Sequence, residues 1–259
     1  MSAIPPDERE ASAGPTPWYA DAFDDLYLRL YAHRDLGEVE ALRETLRSRL
    51  GLHPPVFDLC CGGGRFLSVA GPQSYGLDLS LPLLAAARRV APAAPLVRGD
   101  MRALPWRDST FGTLVMLFTC FGYFDTPAED EAVIREVARV TRPGGVYVLD
   151  FLNAERVRRT LVPEGERVID RQVVRERRWI DEQGPFVRKR IEIGAPANRI
   201  YEERVRLYRH DQLQALLERN GFAVSGIWGE YDGRPFVAAE SSRAIILGTR
   251  RSFVEARSS

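Results

Sequence analysis

Three acids, Asp58, Asp78 and Asp100, recur at intervals of 20 and 22 residues, each near the end of an apolar run. The first is followed by a glycine-dense turn, in Val56-Phe57-Asp58-Leu59-Cys60-Cys61-Gly62-Gly63-Gly64-Arg65-Phe66-Leu67. Glycine has no Cβ and adopts positive φ at little cost, so such a turn lets a ligand lie against main chain. A helix after the turn would offer free N–H groups and a positive dipole end to an anionic group. This strand, loop and helix order is that of a nucleotide-type site at the carboxyl end of a parallel sheet. A carboxylate at Asp78, closing Tyr75-Gly76-Leu77-Asp78, could accept both hydroxyls of a ribose. Two ligand classes fit the loop poorly. A phosphate loop of the Walker kind ends in Gly-Lys-Ser/Thr, and here Arg65-Phe66 follows Gly64. A dinucleotide fingerprint counted from Gly62 needs a small residue where Leu67 stands.

The line Asp58-Leu59-Cys60-Cys61-Gly62-Gly63-Gly64 resembles motif I of class I S-adenosylmethionine (SAM)-dependent methyltransferases, hydrophobic-Asp-x-Gly-x-Gly-x-Gly, with Cys60 in place of the first glycine. Val97-Arg98-Gly99-Asp100-Met101 is similar to the family's third signature. Phe111 to Phe118 and the turn in Arg142-Pro143-Gly144-Gly145 take the places of its fourth strand and of its entry to the fifth. Five ordered landmarks within a hundred residues are more specific than any one of them. The resemblance implies SAM as cofactor and S-adenosylhomocysteine as product. It implies that Asp58, Gly62 and Gly64 hold the methionine end, Asp78 the ribose and Asp100 the adenine amino group, with Cys60 also in the cofactor site. Leu79 and Met101 would pack on the base, and Phe118 and Tyr19 would complete the cofactor site.

Each residue also has a plain structural reading. An aspartate closing a strand is often a helix cap or turn former. Cys60 and Cys61 lack the spacer of zinc or redox pairs, and Cys120 is the one other cysteine. All three are expected as small buried residues, with no metal and no disulfide framework. No catalytic base is unmistakable. His53 lies before the first strand, away from the site, and His210 opens a helix. His33 follows an aromatic N-terminal stripe and could reach the pocket, as could Tyr31 on that stripe. Tyr123 belongs to the cluster Phe118-Thr119-Cys120-Phe121-Gly122-Tyr123-Phe124, where aromatic faces can favour a cationic sulfonium or amine and a phenol could relay a proton.

Composition restricts the partners. With 36 basic and 36 acidic residues the chain has no global pull toward nucleic acid or anionic membrane. The longest mostly apolar run, 114–124, is too short to span a bilayer. Residues 1–17 are polar and proline-containing, without the apolar core of a signal peptide, and read as a disordered leader. A cytoplasmic enzyme is expected.

The elements that must position these residues alternate. An i, i+3/i+4 stripe of Tyr19, Phe23, Leu26, Tyr27, Leu30 and Tyr31 predicts one amphipathic helix over 18–31, and a second is expected over 36–50. Strands near 55–60, 74–78, 95–98, 112–118 and 145–151 alternate with helices near 64–70, 81–91 and 127–141, which implies a parallel sheet covered on both faces. A helix near 210–220 and strands near 222–230 and 242–249 complete it. The expected fold is an α/β three-layer sandwich with a seven-stranded, mainly parallel sheet whose last strand is antiparallel.

Between 155 and 209 the period changes to two. Segments near 167–181, 185–194 and 199–208, with turns at 183–185 and 195–198, predict a three-stranded antiparallel insertion into a core formed by 18–154 and 210–250. This segment holds 15 Arg/Lys against 10 Asp/Glu. It reads as a solvated sheet face, a substrate cap, an anionic-substrate patch or a homodimer surface. Such an insertion resembles small-molecule methyltransferases, including those acting on amino-sugar nucleotides. The expected function is therefore methyl transfer from SAM to an N or O nucleophile of a small molecule. An RNA or protein methyltransferase, a non-catalytic SAM-binding protein and an NAD-dependent oxidoreductase are the alternatives. The turn Tyr231-Asp232-Gly233-Arg234-Pro235-Phe236 has no assigned role.

Overall fold

The computed structural model describes residues 17–31, 36–182, 184–194, 196–197 and 199–252. Residues 1–16 of the leader expected over 1–17, His33, and parts of the two turns expected at 183–185 and 195–198 lie outside these residues.

The chain opens with α1 (Trp18–Asp21), α2 (Asp25–Leu30) and α3 (Leu36–Arg49). Then β1 (Val56–Leu59), α4 (Leu67–Ala70), β2 (Ser74–Asp78), α5 (Leu81–Val90), β3 (Leu96–Arg98), β4 (Phe111–Met116), α6 (Pro127–Val140) and β5 (Thr141–Leu152) alternate as expected. The helix α7 (Ala154–Thr160) leads to β6 (Glu164–Ile169), β7 (Gln172–Ile180), β8 (Phe186–Ile193) and β9 (Arg199–Arg206), and the chain closes with α8 (His210–Arg219), β10 (Phe222–Trp228) and β11 (Arg243–Arg250).

Seven strands form one sheet in the order β10-β11-β5-β4-β1-β2-β3. The strands β1 to β5 pair parallel, while β11 is antiparallel to both β5 and β10. Every residue of β1 and β4 is buried, as strands covered on both faces require. Their side chains divide by parity. Phe57, Leu59, Leu114, Met116, Tyr147 and Leu149 pack with Val133, Val137, Leu213 and Leu217 of α6 and α8. Val56, Val115, Val148 and Ile245 face Val39, Leu42 and Leu46 of α3. This is the expected three-layer sandwich.

The expected insertion is a second, antiparallel sheet in the order β6-β7-β8-β9. It has four strands, not three. The segment expected as one strand over 167–181 folds back at Asp170-Arg171, both with positive φ (49° and 64°), and residues 164–169 pair with 172–177. A two-residue turn with both φ positive suits the right-handed twist of a hairpin, and aspartate tolerates that region.

Two other elements differ from expectation. The helix over 18–31 is two short helices, because the Asp24 carboxylate caps α2, accepting the N–H groups of Leu26 (2.8 Å) and Tyr27 (3.1 Å). The helix over 64–70 shortens to α4, since the positive φ of Gly62 (53°) and Gly64 (81°) keeps the loop non-helical up to its start. The unexpected α7 is capped by Asn153 in the same way as α2 by Asp24.

Candidate functional site

The carboxyl ends of β1, β2, β3 and β4 open into a cavity of about 360 Å³ roofed by α1 and α2. Asp58, Cys60, Gly62, Asp78, Leu79, Asp100, Met101, Phe118, Tyr19, Tyr31 and Tyr123 all line it. Gly64 does not. A Cβ there would stand 2.9 Å from both Cα and Cβ of Ala87, so this glycine serves the contact between the loop and α5 instead.

The loop is held in a ligand-ready form by its own main chain. Cys60 adopts φ 62°, the left-handed conformation that glycine would take with less strain. The Cys61 N–H donates to the Leu77 carbonyl at 3.0 Å, and the Gly62 N–H to Asp78 Oδ2 at 2.9 Å. Asp78 Oδ1 accepts the Ser80 N–H at 2.9 Å. Burial raises the Asp78 carboxyl pKa, against the pull of these N–H groups. Asp58 is 3 % exposed. Burial, then the charge of Asp78, push its carboxyl well above the usual range, with Arg65 opposing. Two buried carboxylates facing one cavity are costly alone and are relieved by a cationic ligand group. SAM carries an ammonium and a sulfonium, so the residues present fit it.

Asp100 is engaged differently. Both oxygens of its carboxylate are taken by Arg102, through Nε at 3.1 and 3.2 Å, a terminal nitrogen at 2.7 Å and the backbone N–H at 2.8 Å. Burial alone would raise the Asp100 carboxyl, but these bonds outweigh it and hold it below the usual range. An adenine amino group would share this acceptor with Arg102. Met101 lies against Cys60, its sulfur 3.7 Å from the thiol.

A second cavity, of about 460 Å³, shares Phe23, Tyr27, Arg65, Phe118 and Tyr123 with the first and extends beneath the four-stranded sheet. Arg178, Lys189 and Glu203 enter it from adjacent strands, since the register places Arg178 opposite Lys189 and Lys189 opposite Glu203. Lys189, the one lysine of the chain, donates to the Tyr31 hydroxyl at 2.7 Å and pairs with Glu176 at 3.2 Å. The Tyr31 hydroxyl in turn donates to Glu203 at 2.9 Å. Tyr31 thus joins the first cavity to a carboxylate of the second.

The other candidate bases are placed less favourably. The Tyr123 hydroxyl donates to the Thr119 carbonyl at 2.9 Å, and burial pushes its pKa well up. His210 begins α8 near Glu155, at 3.7 Å, and the His53 N–H bonds Thr113 before β1. Sequence reasoning did not single out Arg65, Lys189, Glu203 or Asp150. A signal existed for two of them: Lys189 falls in phase with Val187 and Ile191, and Glu203 with Tyr201 and Val205, so each charge sits in an apolar row. Among the described residues no His/Cys/Asp/Glu group could hold a metal, and no helix is long and apolar enough to cross a membrane.

Residues 57–149 match a protein family described as a methyltransferase domain. Over 138 residues the chain is 32 % identical to a dTDP-3-amino-3,4,6-trideoxy-alpha-D-glucopyranose N,N-dimethyltransferase of Streptomyces venezuelae, covering 51 % of this chain and 56 % of that protein. Over 121 residues it is 38 % identical to a demethylmenaquinone methyltransferase of Mycolicibacterium paratuberculosis, covering 44 % and 49 %. The chain thus spans about half the length of the curated relatives it matches. A crystal structure of an S-adenosylmethionine-dependent methyltransferase from Clostridium acetobutylicum superposes with a TM-score of 0.74 at 16 % identity, over 88 % of this chain and 97 % of that one. The fold is that of the class I methyltransferases, as the motifs led us to expect.

Proposed function

With a methyltransferase domain in residues 57–149 and a class I fold around it as the premise, we propose that this chain transfers the methyl group of SAM to an N or O nucleophile of a small molecule. The observation that carries this reading is the pair of cavities meeting at one aromatic wall. The first is lined by all but Gly64 of the residues that the family's motifs assign to the cofactor. The second lies between the two sheets and is enclosed on the side of β7, β8 and β9. A small acceptor fits such a space better than a nucleic acid or a folded protein does. By their names the relatives act on a dTDP-amino sugar and on demethylmenaquinone, which supports a small-molecule acceptor here.

SAM, when bound, supplies a methyl on a sulfonium that leaves readily. The chain's own part is to bind, orient and exclude water, from which proximity and orientation supply most of the rate. In this reading Asp58 and Asp78 neutralise and hold the cofactor's cationic and diol groups. Phe118, Tyr123, Phe23 and Tyr27 form the wall between donor and acceptor, where aromatic faces favour positive charge. The segment 155–209 acts as a cap over the acceptor cavity. Among the described candidate bases, Tyr31 is the one whose hydroxyl donates to a carboxylate, so a proton leaving the acceptor has a path through it to Glu203.

The test is a thermal shift with SAM, S-adenosylhomocysteine and NAD, all at one concentration about 100-fold above a plausible cofactor dissociation constant. A ligand of the folded state adds about 2.7 kcal/mol there, or roughly 5–10 °C for a domain of this size. A rise with SAM and S-adenosylhomocysteine and none with NAD is expected. No rise with either adenosyl-sulfur ligand overturns the reading.

A further inference from the structure

Asp150, at the carboxyl end of β5, is fully buried, and its carboxylate gathers three donors. One oxygen accepts the Phe118 N–H at 2.7 Å and the Tyr231 hydroxyl at 2.9 Å. The other accepts Nε of Arg243. A terminal nitrogen of Arg243 continues to Thr119 Oγ1 at 3.1 Å, and the Thr119 N–H donates to the Asp150 carbonyl at 3.2 Å. Three bonds thus converge on Phe118 and Thr119 from one acid and the arginine paired with it.

Those two residues need such holding. Their φ values are 62° and 63°, two successive non-glycine residues in the left-handed region, and one of them is β-branched. The conformation is strained for residues with a Cβ and persists where surrounding contacts over-determine it. What it secures is the place of the Phe118 ring. Phe118 lines both cavities, with the Arg65 guanidinium 3.8 Å over its face. Asp78, Leu79, Asp100 and Met101 line the first cavity alone, so Phe118, unlike them, stands where the two cavities meet.

The turn after β10 provides the third partner. Gly233, at φ 76°, and the bond from Gly229 N–H to the Arg234 carbonyl at 2.8 Å close it, and Arg49 of α3 anchors it through the Gly233 carbonyl at 2.7 Å. Closed in this way, it delivers the Tyr231 hydroxyl to Asp150. Burial, followed by the Asp150 charge, pushes the Tyr231 phenol well up, so it remains a donor.

We propose that Asp150, Tyr231 and Arg243 are positioning residues that fix the Phe118-Thr119 segment against the methionine end of the cofactor, and that this is the task of the Tyr231–Phe236 turn. The inference rests on the SAM reading above. Its distinguishing property is that it concerns one half of the ligand. S-adenosylhomocysteine has both the nucleoside and the amino acid part, whereas 5′-methylthioadenosine has the nucleoside and no amino acid part.

Calorimetric titration of both ligands into wild type, Tyr231→Phe and Asp150→Asn tests it. Tyr231→Phe keeps the ring and deletes one donor to a buried carboxylate, so it should weaken S-adenosylhomocysteine about tenfold. Asp150→Asn should weaken it by more. Affinity for 5′-methylthioadenosine should stay within about twofold of wild type in Tyr231→Phe. Parallel weakening of both ligands, with a lowered melting temperature, would show a role in general stability only and overturn the inference. Unchanged binding of both ligands in Tyr231→Phe would also overturn it, even where Asp150→Asn does not fold. A wild-type protein that binds neither ligand overturns the cofactor reading itself, and this inference with it.

Discussion

The Gly62 N–H donates to the Asp78 carboxylate at 2.9 Å, which ties the glycine loop after β1 to the end of β2. One acid therefore shapes the loop and, in the reading proposed above, also offers its remaining lone pairs to the ribose. Asp78→Ala removes both, and we expect S-adenosylhomocysteine to bind well over tenfold more weakly, since charged hydrogen bonds each carry about 1.5–3 kcal/mol. Asp78→Asn keeps one acceptor oxygen and should fall between wild type and alanine. Calorimetry decides; an unchanged dissociation constant in Asp78→Ala removes Asp78 from the ribose site.

Asp130 gives the fold a pH dependence unrelated to the cavity. It is fully buried at the start of α6, where its Oδ2 accepts Tyr208 Oη at 2.8 Å and Arg206 Nε at 3.2 Å. Burial lifts its pKa from the usual 3.8 to about 6, against the pull of Tyr208 and Arg206. The folded state then binds this proton more tightly than the unfolded chain does. The stability it brings is complete below about pH 4 and is lost as pH rises through 6, a difference of about 3 kcal/mol. Asp130→Asn cannot titrate, so the stability of wild type relative to this variant should fall between pH 4 and 7. Urea unfolding of both proteins across that range measures it. A difference that does not change with pH counts against the raised pKa.

Much of this architecture is legible in the sequence because its signals are local. The buried runs Val56–Leu59 and Phe111–Met116, and the Thr126 and Ser80 caps of α6 and α5, announce parallel strands and their helices within a few residues. The break between α1 and α2 is hidden by its own packing. Tyr19, Phe23, Tyr27 and Tyr31 keep facing the cavity across it, so the helical stripe continues while Asp24 ends one helix and caps the next. The hairpin at Asp170-Arg171 lacks the glycine that usually marks such a turn. The contacts of Asp150 with Tyr231 and Arg243 span 81 and 93 residues, and no local pattern reports a bond of that range. Lys189 and Glu203 lie between. Their phase was visible, but alternation of charged and apolar residues is also what a solvated sheet shows, and only the docking of that sheet over the cavity separates the two.

Of the three positive-φ positions in the loop that made the site recognisable, Cys60 and Gly64 differ in tolerance, and substitution should separate them. At Gly64 a Cβ meets the backbone of Ala87 at 2.9 Å, and φ is 81°. Neither strain can be relieved by a side-chain rotation, so Gly64→Ala must displace α5 or distort the loop, at a cost of about 2 kcal/mol or more. Cys60 is already a non-glycine residue at φ 62°. Cys60→Gly relieves about 1 kcal/mol of backbone strain and forfeits a similar amount of thiol packing, including the contact with Met101, so the two nearly cancel. Gly64→Ala should therefore lower the melting temperature by several degrees, roughly 4–8 °C for a domain of this size. Cys60→Gly should leave it within about 2 °C of wild type. Equal losses in both variants would mean that the Cys60 side chain, rather than the turn geometry that it shares with glycine, is what this loop requires.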